Sequence, residues 1–375
     1  MSKFNISQCN SKKQISKLYF SSVTGNLSLT GAWVAILAAR GYSLVEIGFV
    51  ETVFHIISLI FEIPSGVLAD VFGRKNILVL GNIMRTIGNI IMIASCNLFM
   101  VCASIAFYAI SDSFVSGSAD ALAYDSLKMD DCERYYEKYV SNQMILYRLC
   151  SGLSTLCAGF ALVIGYKAAY STDLFMGVIQ LWLLASLYEV PVRHHHKEDE
   201  KNMYVSACKE MLACFITSVS FLRNERKAVF LMFCNSLVGA VDTLLLFFLQ
   251  ARLPECGIPN AVLGFALFFM QMGGILGAKV ILKCKGLRYR SVFVMTAFLV
   301  FCGVLAEHSG MYLLMAAGGF IAALGDDALQ VRTNTILQAL FPSEQRATLV
   351  SMESFTFSVI MIVLSPLAGL LFLHW

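Results

Sequence analysis

Eleven apolar runs, each about as long as an α-helix that crosses a lipid bilayer, occupy most of this sequence. Because backbone amides inside a bilayer find no water, each run must satisfy its own hydrogen bonds as a helix. The alternating pattern of a membrane β-barrel is absent. The sequence therefore predicts an all-α integral membrane protein, with spans near 18–39, 46–69, 77–96, 98–124, 142–165, 168–190, 228–251, 260–282, 291–307, 310–338 and 347–373.

The composition supports the membrane class and excludes others. Hydrophobic residues make up 58% of the chain and charged residues only 14%, whereas soluble proteins carry about 25% charged residues. A net charge of +3 gives no basic face for nucleic acid. The twelve cysteines show no spacing typical of zinc sites. We expect no nucleic-acid partner, no metal and no cofactor.

A polar segment at 191–226 interrupts the apolar runs after the sixth span. It predicts an N-terminal bundle at 1–190, a cytoplasmic linker at 191–226 and a C-terminal bundle at 227–375. The linker contains three consecutive histidines, His194 to His196. They allow metal binding, but a polar surface run is the commoner explanation of such a tract.

The basic residues predict how the chain is oriented, since cytoplasmic loops are enriched in Lys and Arg. Basic residues precede span one, follow spans two and four, and recur in the linker and at 283–290. All these segments fall on one side if the N-terminus is cytoplasmic. We therefore predict a multi-pass plasma-membrane protein with its N-terminus inside and, after eleven spans, its C-terminus outside.

The two halves resemble each other as parallel repeats, an arrangement common in transporters. "RGYSLVEIGF" at 40–49 matches "CGIPNAVLGF" at 256–265, and further matches follow in the same order along the chain. The aligned pairs are Gly41 with Gly257, Gly48 with Gly264, Asn26 with Asp242, His55 with Gln271, Asp120 with Asp327, Asp125 with Arg332, and Gly159 with Gly369. The last pair is 210 residues apart, and at that offset Trp375 corresponds to Gly165, the end of span five. The chain therefore ends where a twelfth helix, the counterpart of span six, is expected.

The segment "GVLADVFGRK" at 66–75 resembles the signature loop of the major facilitator superfamily between spans two and three. The matching residues are Gly66, Leu68, Asp70, Gly73, Arg74 and Lys75. "FPSEQRATLVSMES" at 341–354 resembles the entry to span eleven in the drug-efflux branch of that superfamily. The resemblance implies the major facilitator fold of two six-helix bundles, here with eleven predicted spans.

The resemblance also implies a task for the loop. Its Asp70 would lie near the N-terminus of span eleven, where the helix dipole favours an anion. Its Arg74 would pair with an acid at the end of span four, here Asp125. Together these residues would stabilise the outward-open state of the transporter. The alternative is that the loop is a cytoplasmic turn whose basic residues only set the orientation of the chain. Span four lacks the arginine of the proton-linked "RxxxGxG" motif of drug–proton antiporters.

Two acids fall near the middle of predicted spans, Asp242 in span seven and Asp112 in span four. Ionisable residues at such depth are costly and usually carry out a function or have a partner. We expect them to face the central cavity and to exchange protons there. Asp242 is favoured because its repeat mate Asn26 is also polar. A satisfied structural acid is the alternative.

Other polar residues inside the spans are weaker candidates. His55 and Gln271 are expected either to contact substrate or to bond within the bundle. Glu62 and Arg85 lie at similar depth and are expected to form an ion pair. The candidates for charges at the inner gate are Asp120, Arg148, Asp327 and Arg332.

The predicted function is secondary active transport by alternating access. The resemblance implies proton-coupled efflux of small lipophilic compounds, with protons, a small-molecule substrate and the bilayer as partners. Uptake of a small polar nutrient and a truncated, non-transporting chain are the alternatives. An enzyme is not expected, because neither a nucleotide-binding motif nor a nucleophile–base arrangement is visible. We expect a monomer.

Overall fold

The computed structural model describes residues 11–116, 118–190, 216, 220, 223–284, 286–340 and 346–374, and the regular structure in these residues is helical. This confirms the predicted all-α class. The helices are α1 (Ser11–Asn26), α2 (Trp33–Ala39), α3 (Leu44–Phe72), α4 (Arg74–Ala94), α5 (Leu98–Val115), α6 (Ser118–Met129), α7 (Tyr136–Leu156), α8 (Ala158–Ile164), α9 (Tyr166–Ala185), α10 (Arg226–Glu255), α11 (Asn260–Lys283), α12 (Tyr289–Glu307), α13 (Tyr312–Leu340) and α14 (Arg346–His374).

Within these described ranges, nine helices are long and apolar enough to cross a membrane. A tenth is obtained if Lys138–Leu156 and Ala158–Ile164, which meet at 48°, form one bent span. The predicted span at 18–39 is absent from this set because it is broken. Helix α1 ends at Asn26 and α2 begins only at Trp33, so neither piece has the required length.

Local signals explain where two of the helices begin. Ser43 and Glu46 form a capping box at the start of α3: the Ser43 N–H donates to Glu46 Oε2 at 2.8 Å and the Glu46 N–H donates to Ser43 Oγ at 3.3 Å. At the start of α5, Asn97 Oδ1 accepts from the Met100 N–H at 3.0 Å. Both caps satisfy amide groups that have no partner inside their helix.

The segment that resembles the signature loop is almost entirely helical. Gly66 and Asp70 lie in the last two turns of α3, which continues to Phe72, and α4 begins at Arg74. The connection is therefore Gly73 alone, which has φ of 91°. A glycine adopts this left-handed conformation without the steric penalty of a Cβ. The two predicted spans ended at residue 69 and began again at residue 77, so these helices extend further toward each other than predicted.

The chain divides into two compact units. The first lies within 1–31, 56–154 and 164–207, and the second within 32–55, 155–163 and 208–375. Two short segments of the first half of the sequence therefore pack with the second half. The predicted division at 1–190, 191–226 and 227–375 describes the repeat rather than this packing, and it stays a prediction.

Repeat-related glycines make equivalent close contacts inside the second unit. A Cβ added to Gly48 of α3 would collide with the Ser365 carbonyl of α14, and a Cβ on its mate Gly264 of α11 would collide with the Leu156 carbonyl of α7. Each glycine thus lets one helix backbone approach another directly. The two contacts are counterparts, because α3 and α11 are repeat mates.

Glycines on or next to the partner helices also lie against a backbone carbonyl of α11 or α3. A Cβ on Gly159 of α8 would collide with the Asn260 carbonyl at the start of α11, and one on Gly369 of α14 would lie 2.7 Å from the Leu44 carbonyl at the start of α3. The four glycines therefore fix two helix crossings related by the internal repeat. This agreement supports the repeat that the sequence alignment predicts.

Candidate functional site

Arg74, the first residue of α4, contacts α6. Its Nη1 forms an ion pair with Asp125 and also donates to the Ala121 carbonyl at 2.9 Å. The structure thus contains the ion pair that the resemblance implies. The gating role of the pair stays a prediction.

The start of α4 has a second anchor, which was not found in the sequence. The backbone N–H groups of Arg74 and Lys75 donate to the two carboxylate oxygens of Glu189, each at 3.0 Å. An anion at a helix N-terminus is favoured by the helix dipole and satisfies free amide groups. A Cβ at Gly73 would lie 2.6 Å from Glu189 Oε2, so glycine also leaves room for this cap.

Replacing Glu189 with Ala should lower the free energy of unfolding by about 1–2 kcal/mol, because two charge-assisted hydrogen bonds are lost. Chemical unfolding of the purified chain in detergent micelles measures the change. The matched control is Glu225→Ala, since Glu225 precedes α10 without a side-chain capping bond. Equal effects of the two substitutions would contradict a capping role for Glu189.

Arg332 of α13 occupies the position equivalent to Asp125 in the repeat and contacts the equivalent connection in the second half. Its Nη2 donates to the carbonyls of Cys284 at 3.1 Å and Leu287 at 2.7 Å. A guanidinium placed here bonds carbonyls at the C-terminal end of α11 and complements its dipole. In each half, therefore, a charged residue holds the connection that precedes the next span.

His55 and Gln271 are repeat mates that both bond to a neighbouring helix. His55 Nδ1 lies 3.1 Å from Ser358 Oγ of α14, and Gln271 Nε2 donates to Thr155 Oγ1 of α7 at 2.9 Å. These bonds join the same helix pairs as the glycine contacts. Both bonds join residues of the two predicted bundles, 1–190 and 227–375, so the expected bond within one bundle is corrected to a bond between segments of both. Contact with substrate stays a prediction.

Three acids lie close together inside the second unit. Asp242 of α10 is 4% exposed, and its Oδ1 has no hydrogen-bond partner in the described part of the chain. Asp326 and Asp327 of α13 are close enough for their charges to act on it. The predicted proton-site residue Asp242 and the predicted gate residue Asp327 therefore belong to one cluster, which we call the acidic cluster (Asp242, Asp326 and Asp327).

Two glycines make room for these carboxylates. A Cβ on Gly239, one turn before Asp242, would lie 3.5 Å from Asp326 Oδ1, and one on Gly274 of α11 would collide with the Asp327 carboxylate. Asp326 thus faces α10 and Asp327 faces α11. The cluster is a packed feature of three helices rather than three independent side chains.

A cavity of about 170 Å³, lined by both apolar and polar side chains, lies inside the first unit. Asn26 and Asp112, two of the predicted site residues, line it together with Arg85 of α4. The expected ion pair between Glu62 and Arg85 is not formed. Arg85 instead interacts with the charges of Asp112 and Asp173, because its side chain points into the bundle while Glu62 is exposed.

The break between α1 and α2 adjoins this cavity. Asp173 of α9 accepts a hydrogen bond from Thr30 Oγ1 and another from the Leu29 N–H at 3.2 Å. Ser154 Oγ accepts from the Ser28 N–H at 2.9 Å. These side chains replace the hydrogen bonds that a continuous helix would have made, as irregular backbone at membrane depth requires.

Some predicted residues are only partly described. The side chains of Asp70 and Arg148, the surroundings of Gly66, and the histidines His194 to His196 lie outside what the structure describes. Asp120 is exposed on α6, and its charge acts on Tyr136 and Tyr139 of α7. The gate roles predicted for Asp120 and Arg148 stay predictions.

Sequence reasoning missed Asp173, Glu189 and the inward direction of Arg85. Asp173 is an acid inside the predicted sixth span, so a search for ionisable residues within every apolar run would have found it. The same search would have found Glu189, which lies at the end of the predicted span 168–190, but not its partners, because these are backbone groups of another helix. The direction of Arg85 depends on packing alone.

A family model, the Major Facilitator Superfamily, matches residues 17–306. The chain therefore belongs to this superfamily of membrane carriers. One curated relative, an uncharacterized MFS-type transporter called YxaM from Bacillus subtilis (strain 168), is 22% identical over 346 residues, which are 86% of this chain and 79% of the relative. The drug-efflux branch stays a prediction.

Solved structures agree on the fold. A nucleoside transporter, NupG in its D323A mutant form, matches with a TM-score of 0.72 at 13% identity. The match covers 95% of this chain and 90% of the NupG chain. A D-xylose–proton symporter matches with a TM-score of 0.66 at 12% identity, and the match covers 94% of this chain and 87% of the symporter chain. These likenesses confirm the major facilitator fold.

Proposed function

We propose that this chain is a secondary active transporter that moves a small solute by alternating access and couples the movement to protons. The observation that carries the proposal is the acidic cluster: Asp242 is buried in α10, the Asp326 carboxylate lies against the same helix at Gly239, and Asp327 follows Asp326 in α13. Carboxylates inside membrane spans are costly and mark proton relays and ion pathways in carriers.

The chemistry of the cluster fits proton coupling. Three carboxylates at close range repel one another when all are ionised, so binding a proton relieves the repulsion. Asp242 Oδ1 has no hydrogen-bond partner among the described residues and is therefore available to a proton carrier. Protonation would change the charge between α10 and α13, two helices of the second unit.

The contacts at the start of α4 fit a gate in the same scheme. Arg74, Asp125 and Glu189 hold the α3–α4 connection to α6 and to the end of α9. We assign to these residues the stabilisation of one conformational state. Asp120, Arg148 and Arg332 are candidates for charges at the same end of the spans, with the N-terminus of the chain on the cytoplasmic side of the plasma membrane.

The direction of transport has two candidate answers. Export of small lipophilic compounds is supported by the likeness of residues 341–354 to the drug-efflux branch. Uptake of a small polar solute is supported about as well, because solved structures of this fold include a nucleoside transporter and a D-xylose–proton symporter. The charged side chains Arg85 and Asp112 in the wall of the first unit's cavity favour a polar solute.

One experiment tests both coupling and direction. The purified chain is reconstituted into liposomes that contain a pH-sensitive dye, without an imposed gradient. Solutes of different class are then added outside: ethidium, uridine, D-xylose and L-serine. A solute that enters with protons acidifies the interior, whereas a solute exchanged for protons makes it alkaline, whichever way the chain is inserted.

We expect at least one solute to change the internal pH in liposomes that contain the protein and not in protein-free liposomes. Alkalinisation by ethidium would support efflux, and acidification by a polar solute would support uptake. Solute entry without a pH change would contradict proton coupling. Folded protein that moves none of these solutes would contradict the transport proposal and favour a non-transporting chain.

A further inference from the structure

The cavity of the first unit presents two opposite charges that are not paired with each other. Arg85 of α4 and Asp112 of α5 both line it, and their charges interact. In the described part of the chain they form no ion pair, and neither side chain has a hydrogen-bond partner. A guanidinium and a carboxylate thus face one cavity without a side-chain hydrogen bond among the described residues, although the Arg85 guanidinium also lies 5.9 Å from the centre of the Tyr108 ring.

The wall also carries amide oxygens without donors. Asn82 is only 2% exposed, and its Nδ2 donates to Gln180 Oε1 at 2.6 Å. That bond turns Asn82 Oδ1 away from Gln180, and this buried oxygen has no donor in the residues that the structure describes. The same holds for Gln143 Oε1, whose amide nitrogen donates to Tyr139. Leaving buried acceptors unpaired is unfavourable, so these oxygens indicate a donor that binds in the cavity.

We propose that this cavity binds a small zwitterion, whose anionic group meets Arg85 and whose ammonium group meets Asp112 and the free amide oxygens. The guanidinium offers paired donors that suit a carboxylate. The ammonium group is a donor without acceptors and therefore complements Asp112, Asn82 Oδ1 and Gln143 Oε1.

The size of the cavity limits the ligand. A cavity of roughly 150 Å³ holds a six-carbon ring, so about 170 Å³ suits a molecule of amino-acid size. Serine carries both charged groups on a frame of that size. A large lipophilic compound does not fit this cavity.

The nearby helix break supports the same site. A second, smaller cavity is lined by Ser28 of the break together with Arg85, Asp173 and Gln180, and Arg85 and Gln180 line both cavities. Broken helices at the binding site are a recurring feature of transporters, where irregular backbone lines the pathway. The break therefore forms part of the wall next to the proposed ligand.

The inference rests on the proposed transport function and names its solute class. Binding of radiolabelled L-serine to the purified full-length chain in lipid nanodiscs tests it. Ethanolamine, L-glycerate and glycerol serve as competitors, because they lack the carboxylate, the amine and both charges, respectively. We expect serine to bind, and each competitor to bind at least about tenfold more weakly, since each loses a charged contact.

Two substitutions separate the charges. Arg85→Gln should remove the preference for serine over ethanolamine, and Asp112→Asn should remove the preference for serine over L-glycerate. Arg85→Lys should keep part of the preference for serine. Arg290→Gln, which changes an exposed arginine at the start of α12, should have no effect.

The inference is overturned if the folded wild-type chain binds none of the four probes, or if it binds serine no better than glycerol. It is also overturned if Arg85→Gln and Asp112→Asn leave both preferences unchanged. A solute-dependent pH change in the liposomes with ethidium, uridine or D-xylose would then show that transport survives and only the zwitterion site is wrong.

Discussion

Asp242→Asn is expected to abolish solute-dependent pH changes in the reconstituted liposomes, with a loss of about 100-fold or more in coupled rate, the scale of a lost proton-transfer group. Asparagine has the shape of the acid but cannot take up or release a proton. Asp242 is buried beside Asp326 and Asp327, so removing its charge also reduces repulsion inside the cluster. We therefore expect the variant to fold at least as well as the wild type.

The controls for this prediction separate chemistry from structure. Asp242→Glu keeps the acid and should retain part of the coupling, whereas Asp131→Asn changes an exposed acid in the α6–α7 connection and should retain all of it. If Asp242→Asn couples normally, the proton site lies elsewhere, with Asp112 the next candidate. If it still exchanges solute but no longer moves protons, Asp242 serves coupling alone.

Gly273→Val should strongly destabilise the second unit. A Cβ at Gly273 of α11 would collide with the backbone carbonyl of Phe320 in α13, and Gly277 one turn later stands in the same relation to Leu324. This Gly-x-x-x-Gly spacing lets two helix backbones approach each other in a membrane. Because a backbone carbonyl cannot rotate away, the helices would have to separate, at a cost of about 3 kcal/mol.

Thermal unfolding of the purified protein in detergent measures this cost. Gly277→Val should have a similar effect, since it interrupts the same helix pair. Gly286→Ala is the matched control, because nothing lies within 4 Å of a Cβ added there. Equal stability of Gly273→Val and Gly286→Ala would contradict the close packing of α11 on α13.

The sequence predicted the class and most helices because both depend on local composition. Runs of apolar residues can satisfy their backbone in a bilayer only as helices, and nine of the predicted spans are found as long apolar helices. The prediction that the first span is one continuous helix was wrong. Its break at residues 27–32 is stabilised by Asp173 and Ser154, which are more than a hundred residues away in the chain.

The repeat alignment was informative because it paired positions with equivalent contacts. It aligned Gly48 with Gly264 and His55 with Gln271, and each pair makes matching contacts with a neighbouring helix. It also aligned Asn26 with Asp242, but these residues line different sites. Similarity between halves therefore predicted packing better than it predicted chemistry.

The sequence alone determined that this chain is a helical membrane protein of the major facilitator superfamily, because span length, composition and the "GVLADVFGRK" motif are properties of short segments. Only the tertiary structure decided which charges meet. It turned Arg85 toward Asp112 rather than Glu62, placed Glu189 on the start of α4 and brought Asp242 to Asp326 and Asp327. Such pairings depend on how helices rotate and cross, and many long-range contacts fix those angles together rather than any single segment.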